Sequence, residues 1–174
     1  MKQFSKLILS IVVLIVYAAQ TSQAQAKAQA CSAPEYRQFD FWLGDWDTYD
    51  VDAPGKAVAH NRVDLILDRC VIHEVYDGFN GGHGESFSIY DSTRRQWHQS
   101  WVTNKGVLLL LDGGMENGAM VLQGIDRSQK TGPRLIRGIW KQVTDGVRET
   151  AEVSSDDGKT WQPLFDIVFR PHAK

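Results

Sequence analysis

The chain has 174 residues, with two cysteines, six tryptophans and a formal net charge of −2. That length fits one domain plus a removable leader. No basic stripe or cluster interrupts the mixed charges, which argues against nucleic acid or an anionic membrane surface as a partner.

Lys2 and Lys6 precede a nearly unbroken apolar run from Leu7 to Ala19, and Thr21–Ala30 then supplies small residues in repeated A-x-A order. Basic, apolar and small-residue segments in that order predict a signal peptide over residues 1–30, cleaved after Ala24, Ala26 or Ala30. The apolar run is shorter than the roughly 20 residues a spanning helix needs, so no stable membrane span is expected after cleavage. An uncleaved anchor is the alternative; lipidation of Cys31 fits less well, with Gln29 nearby and the apolar run ending far upstream. Cleavage would remove three of the 19 basic residues and none of the 21 acidic ones, leaving 16 against 21 and a net charge of −5. Residues 31–174 are expected to form a single β-barrel domain, periplasmic or secreted. Export would place Cys31 and Cys70 where disulfides persist. A bridge closing that loop would stabilise by roughly 4 kcal/mol on the chain-entropy model; two unpaired thiols are the alternative.

Only Pro34–Leu43 looks helical, at most three turns, with Ser32 as a cap and Gly44 as its end. Ten short β-segments follow: Asp45–Val51, Val58–Leu67, Val71–Tyr76, Ser86–Asp91, Gln96–Val102, Val107–Leu111, Ala119–Gly124, Arg134–Val143, Val147–Ser154 and Gln162–Arg170. Between them lie turn signals such as Asn80-Gly81-Gly82, Asp112-Gly113-Gly114, Asn117-Gly118 and Asp145-Gly146, the last being the strongest two-residue hairpin signal. Ten short strands without βαβ spacing predict an all-β antiparallel meander. Closing it into a barrel removes its unpaired edges; a β-sandwich is the alternative.

Motifs for familiar chemistry are absent or incomplete. Gly82–Ser86 does not fit G-x-S-x-G, and His73-Glu74 lacks the second histidine of a zinc helix. The five histidines show no ligand spacing, so no metal or cofactor is expected. Ser154–Trp161 (SSDDGKTW) resembles the Asp-box of sialidase propellers. A single copy in so short a chain predicts a hairpin clamp.

The tryptophans are more informative. On the fifth segment Trp97, Gln99 and Trp101 share one face, while His98 and Ser100 share the other. Two tryptophans with a glutamine between them suit either ordinary core or a cavity wall with one polar handle. Glu74, Arg137, Arg148, Glu149 and Glu152 also fall inside predicted strands, where a wide barrel can hold a few charges if they are paired. On the ninth segment Val147, Ala151 and Val153 share a face with Glu149, which puts Glu149 inward and Arg148 outward.

Gly44-Asp45-Trp46, just before the first strand, resembles the G-x-W signature of lipocalin-like barrels. That likeness implies a tryptophan plugging one barrel end beneath the N-terminal helix. The succession FDFWLGDW, CVIHEVYDG, SFSIYD, RQWHQSWV, GGMENGAMVLQG, IRGIWKQVTDGVRETAEVSSDDGKTW and LFDIVFR resembles a family of small exported bacterial proteins of uncharacterised function. The resemblance implies a calycin-like barrel and no particular activity. It singles out Trp42, Gly44, Trp46, Glu74, Trp97, Gln99, Trp101, Arg148, Glu152 and Trp161, and so favours Arg148 over Glu149.

Together these readings predict an exported barrel for a small apolar or amphipathic molecule. Trp97, Trp101 and Trp140 would form its wall, and Gln99, Glu74 or Arg148 would orient a polar end. The alternatives are a barrel enzyme (isomerase, lyase or hydrolase) using Glu74 or His98 as acid/base, and an envelope protein with a filled core.

Overall fold

The computed structural model describes residues 29–173. Most of the predicted leader therefore lies outside the described residues. Ten antiparallel strands follow one another in chain order: β1 (Gly44–Asp50), β2 (Ala57–Ile66), β3 (Val71–Gly78), β4 (His83–Asp91), β5 (Gln96–Thr103), β6 (Leu108–Glu116), β7 (Ala119–Asp126), β8 (Arg134–Val143), β9 (Gly146–Ser154) and β10 (Gln162–Pro171). Each bonds to the next, and β1 pairs with β10 to close the ring. This is the predicted meander barrel, compatible with a calycin-like fold, and it is not a sandwich. Closure leaves no sheet edge to template aggregation. No helix among the described residues is long and apolar enough to cross a membrane.

The turns differ in detail from expectation. Asn117 and Gly118 both adopt left-handed φ angles, 51° and 79°, and Glu116 faces Ala119 across them. That is the primed two-residue turn whose twist matches the strands. At Asp145-Gly146 the loop is Thr144-Asp145, because Gly146 already pairs with Val143. Asp112-Gly113-Gly114, expected to be a turn, lies inside β6. A Cβ on Gly113 would stand 2.0 Å from the Val121 carbonyl oxygen, so this glycine marks a close approach of two backbones.

The short N-terminal helical segment is wound as two successive 3-10 turns, Pro34–Arg37 and Asp40–Trp42. Ala33 stands at the cap position of the first and offers no side-chain acceptor. The segment is held by burial instead. Phe39 and Trp42 are wholly enclosed and stack at 5.0 Å, and Trp97 and Trp140 meet Phe39 edge-on at 5.7 and 5.5 Å. Trp46 completes this plug by donating its indole N–H to the Trp42 carbonyl at 3.0 Å. Its ring lies over Gly44, where a Cβ would fall 2.4 Å from a ring carbon. Two links fasten the plug to the β2–β3 turn: the Cys31–Cys70 disulfide, with Cα atoms 5.1 Å apart, and a hydrogen bond from Arg37 to the Arg69 carbonyl.

At the opposite end the Asp-box closes the β9–β10 hairpin. Asp156 accepts the Thr160 hydroxyl at 2.7 Å and its amide at 2.9 Å, and the Ser154 hydroxyl at 2.7 Å. The Trp161 indole donates to the Gly158 carbonyl at 3.1 Å, with the Arg137 guanidinium 4.1 Å above its ring. The Thr160 side chain and amide, then Ser154, hold the Asp156 carboxyl down to about 2.

Two outcomes follow from this packing. Gly44→Ala must displace a packed indole, so urea unfolding should show a loss of about 1–3 kcal/mol. Asp156 binds its proton less readily when folded than when unfolded. Its stabilisation is therefore complete above the ordinary carboxyl range and is lost only as pH falls toward about 2. Thermal scans at neutral pH should give Asp156→Ala a lower Tm than the parent.

Candidate ligand-binding cavity

The aromatic plug fills one half of the barrel, and above it lies a cavity of about 450 Å³. That volume falls within the roughly 300–1,000 Å³ of small-molecule sites. Its walls are mainly carbon, from Leu109, Leu111, Ile136, Ile167 and Phe169, with Trp140 among them. Asp50, Asn80 and Phe165 line it as well. They belong to the strand ends and loops remote from the plug, at the end where Phe79 also stands 62% exposed.

The β5 face expected to form one wall is divided by depth. Trp97 is 1% exposed, packs against Phe39 and donates its indole N–H to Gln38 Oε1 at 3.1 Å. It belongs to the plug and does not line the cavity. Gln99 and Trp101, farther along the strand, do line it. Trp101 meets Tyr76 edge-on at 6.1 Å and lies over Gly84, where a Cβ would come within 2.3 Å of the ring. Trp140 is shared: it touches Phe39 and Trp42 below and the cavity above. Its indole N–H is buried and has no acceptor of good geometry among the described residues.

Glu74 lines the cavity from β3 within an ordered network. Asn61 donates to one carboxylate oxygen at 3.1 Å and Ser86 to the other at 2.7 Å. The Gln99 amide nitrogen donates to Ser88 at 3.1 Å and more weakly to Ser86 at 3.4 Å. Both amide hydrogens are thus engaged, which leaves the Gln99 carbonyl oxygen as its remaining polar valence.

Arg148 is not brought to this site. It lies on the outer face of β9, where its Nε donates to Asp166 at 2.7 Å and its terminal nitrogen bonds the same carboxylate. Alternation along β9 puts Val147, Glu149, Ala151 and Val153 inward, so Glu149 takes the place expected of Arg148. Glu152 also faces outward, paired with Arg137 at 2.7 Å. His98 lies outside too, bonded to Asp112 at 2.8 Å and Ser100 at 3.0 Å. That removes it as an acid or base for anything held in the cavity.

Three titratable cavity residues went unselected as site candidates in the sequence reading. Glu149 carried a readable signal, its shared face with Val147 and Ala151. Tyr76 follows Glu74 by two residues on one strand, and Asp50 stands in the same alternation as Trp46 and Thr48. Glu149 forms no hydrogen bond of good geometry among the described residues; the Trp140 N–H, on its cross-strand partner, is the nearby donor. Glu149 faces the lumen and is half-buried, yet its carboxyl lies deep within the barrel. Burial, and then the neighbouring Glu74, raise its carboxyl well above the usual range. Burial likewise pushes Glu74 up to about 7, against the lowering effect of Ser86 and Asn61. Burial and the charges of Glu74, Glu149 and Asp50 raise the Tyr76 phenol. The two glutamates therefore titrate as a coupled pair that retains a proton near neutrality. Comparison with protein families and with curated proteins returned no match to this chain.

Two measurements test this layout. Trp97→Ala should cost about 3–5 kcal/mol, as truncation in a filled core does. Trp101→Ala removes a ring that already faces space and should cost about 1–2 kcal/mol. For Glu74, the folded state holds the proton more tightly than the unfolded state. Stability should therefore fall as pH rises from about 4.5 to about 7, by an amount on the order of 3 kcal/mol. Glu74→Gln should flatten that part of the stability profile, since an amide does not titrate there.

Proposed function

We propose that the barrel binds a small, largely apolar molecule in its cavity, in the periplasm or outside the cell. The carrying observation is a 450 Å³ space bounded mostly by aliphatic and aromatic side chains, with a few polar groups gathered around Glu74, Gln99 and Glu149. Apolar walls supply most of the affinity, and sparse polar groups fix orientation. A filled-core envelope protein would leave no such space. Export draws support from the Cys31–Cys70 bridge, which persists in a non-reducing compartment. It draws further support from the leader pattern and from the likeness to small exported bacterial proteins. Mass spectrometry of envelope or medium protein should find an N-terminus between residues 25 and 31.

A second reading is an enzyme on the same barrel. Its supporting observation is Glu74, whose carboxyl near 7 would populate both acid and base forms at working pH. A carrier returns its ligand unchanged, whereas an enzyme converts it. Native mass spectrometry of protein purified from its own host, followed by identification of the released molecule, distinguishes the two.

Titration with small amphiphiles while following tryptophan fluorescence tests binding directly. Trp101→Ala should weaken the response far more than it weakens folding. A severe stability loss in Trp101→Ala, with no fluorescence change for any ligand class in the parent, would make this wall ordinary core.

A further inference from the structure

The reading of the cavity as a binding site leaves its occupant's charge open, and the lining bears on that directly. Asp50, Glu74 and Glu149 come from three strands, β1, β3 and β9, and among the described residues no lysine, arginine or histidine lines the space. Of the other polar groups facing these carboxyls, Asn61 and Ser86 are committed to Glu74, and Gln99 has only its carbonyl oxygen left. The Tyr76 hydroxyl and the Trp140 N–H are the nearby donors. Strands β6, β7 and β10 contribute no titratable side chain to the cavity wall.

We propose that the occupant is a small organic cation, a protonated amine on an apolar or aromatic body. Its ammonium group sits beside Glu149 and Glu74, and its body lies against Trp101 and Trp140. This inference rests on the cavity being a binding site.

Three physical arguments lead there. An anionic ligand would meet like charge with no cation to offset it. A neutral apolar ligand would displace water from Glu149 and give it no partner, which carries the desolvation penalty of an unpaired buried group. An ammonium ion supplies both the missing charge and the missing donors. The aromatic walls add to this, because the faces of Tyr76, Trp101 and Trp140 attract a cation that has left water. The buried Trp140 indole N–H, the nearby donor to Glu149, makes no hydrogen bond of good geometry among the described residues and so leaves that carboxyl open to a further donor.

Proton balance makes the proposal measurable. The empty pair holds a proton near neutrality; the incoming ammonium keeps its own, so the carboxylic acid releases one to the buffer. An alkylammonium titrates near the lysine value of about 10.4 and stays charged throughout the range tested. Affinity for amines should therefore rise with pH, whereas affinity for a carboxylic acid should fall.

The test uses the mature protein and three matched probes: 2-phenylethylamine, 2-phenylethanol and 3-phenylpropanoic acid. Calorimetry in phosphate and in Tris at about pH 7 should show the amine binding about tenfold or more tighter than the alcohol, with proton release. Affinity for the amine should drop by a similar factor at about pH 5.5. Glu149→Gln should bring amine and alcohol to equal affinity, and urea unfolding will verify that the variant is folded. Glu74→Gln provides a second variant, in which proton release should diminish. Equal binding of amine and alcohol by the parent, or tightest binding of the acid, overturns the cation while leaving the binding reading intact. No binding of any probe overturns both.

Discussion

A closed ring of ten strands encloses more volume than its own inward side chains fill easily. Everything else in this molecule follows from how that surplus is divided. At one end the chain uses its N-terminal segment as a stopper, with Phe39 and Trp42 wholly buried against Trp97, Trp140 and Phe169. At the other end no such segment enters among the described residues, and the surplus remains as the cavity. The stopper has little local structure to hold it, being two 3-10 turns of four and three residues. Its position depends on ring packing and on the disulfide, and both act on the same short stretch of chain.

The placement of glycines serves the same division. Three large indoles, Trp46, Trp101 and Trp140, each lie across a glycine, Gly44, Gly84 and Gly138, at distances that leave no room for a Cβ. A bare backbone lets the ring lie flat along the wall, where it covers surface without crossing the lumen. In Trp46 this completes the plug. In Trp101 and Trp140 it keeps an aromatic surface at the boundary of the cavity while leaving the centre open. Ordinary core packing would favour the opposite arrangement, with side chains reaching inward to fill the space.

Architecture was legible in the sequence because alternation and turn chemistry act locally. All ten strands overlap the predicted short β-runs, although β6 continues to Glu116 through an expected turn, and the Asp-box clamp follows from hydrogen bonds within eight residues. The glycines of Asp112-Gly113-Gly114 misled because a glycine signals either a turn or a close approach, and only the neighbouring strand decides which. Trp97 and Trp101 could not be told apart for a related reason. They share one face, and what separates core from cavity wall is how far the N-terminal plug reaches up the barrel. Glu149 was readable from alternation on β9. A resemblance that weighted Arg148 pointed away from it, and Arg148 proves to be one half of an outer-face pair with Asp166.

Trp140 joins the two halves physically. Its ring contacts Phe39 and Trp42, its other face borders the cavity, and its cross-strand partner is Glu149. The chain of contact therefore runs from the disulfide through the N-terminal turns and Phe39 to Trp140, and from there to Glu149. A polar group left unpaired when such a space fills is costly in a structure that has only about 5–15 kcal/mol of net stability. Glu74 meets that cost with two side-chain donors. Glu149 has none of comparable quality; it is open to the lumen and loses that exposure when the cavity fills. An occupant that brings its own donor removes the penalty, whereas one without a donor does not. That asymmetry between two neighbouring glutamates, together with the volume of the cavity, is what supports reading the space as a binding site.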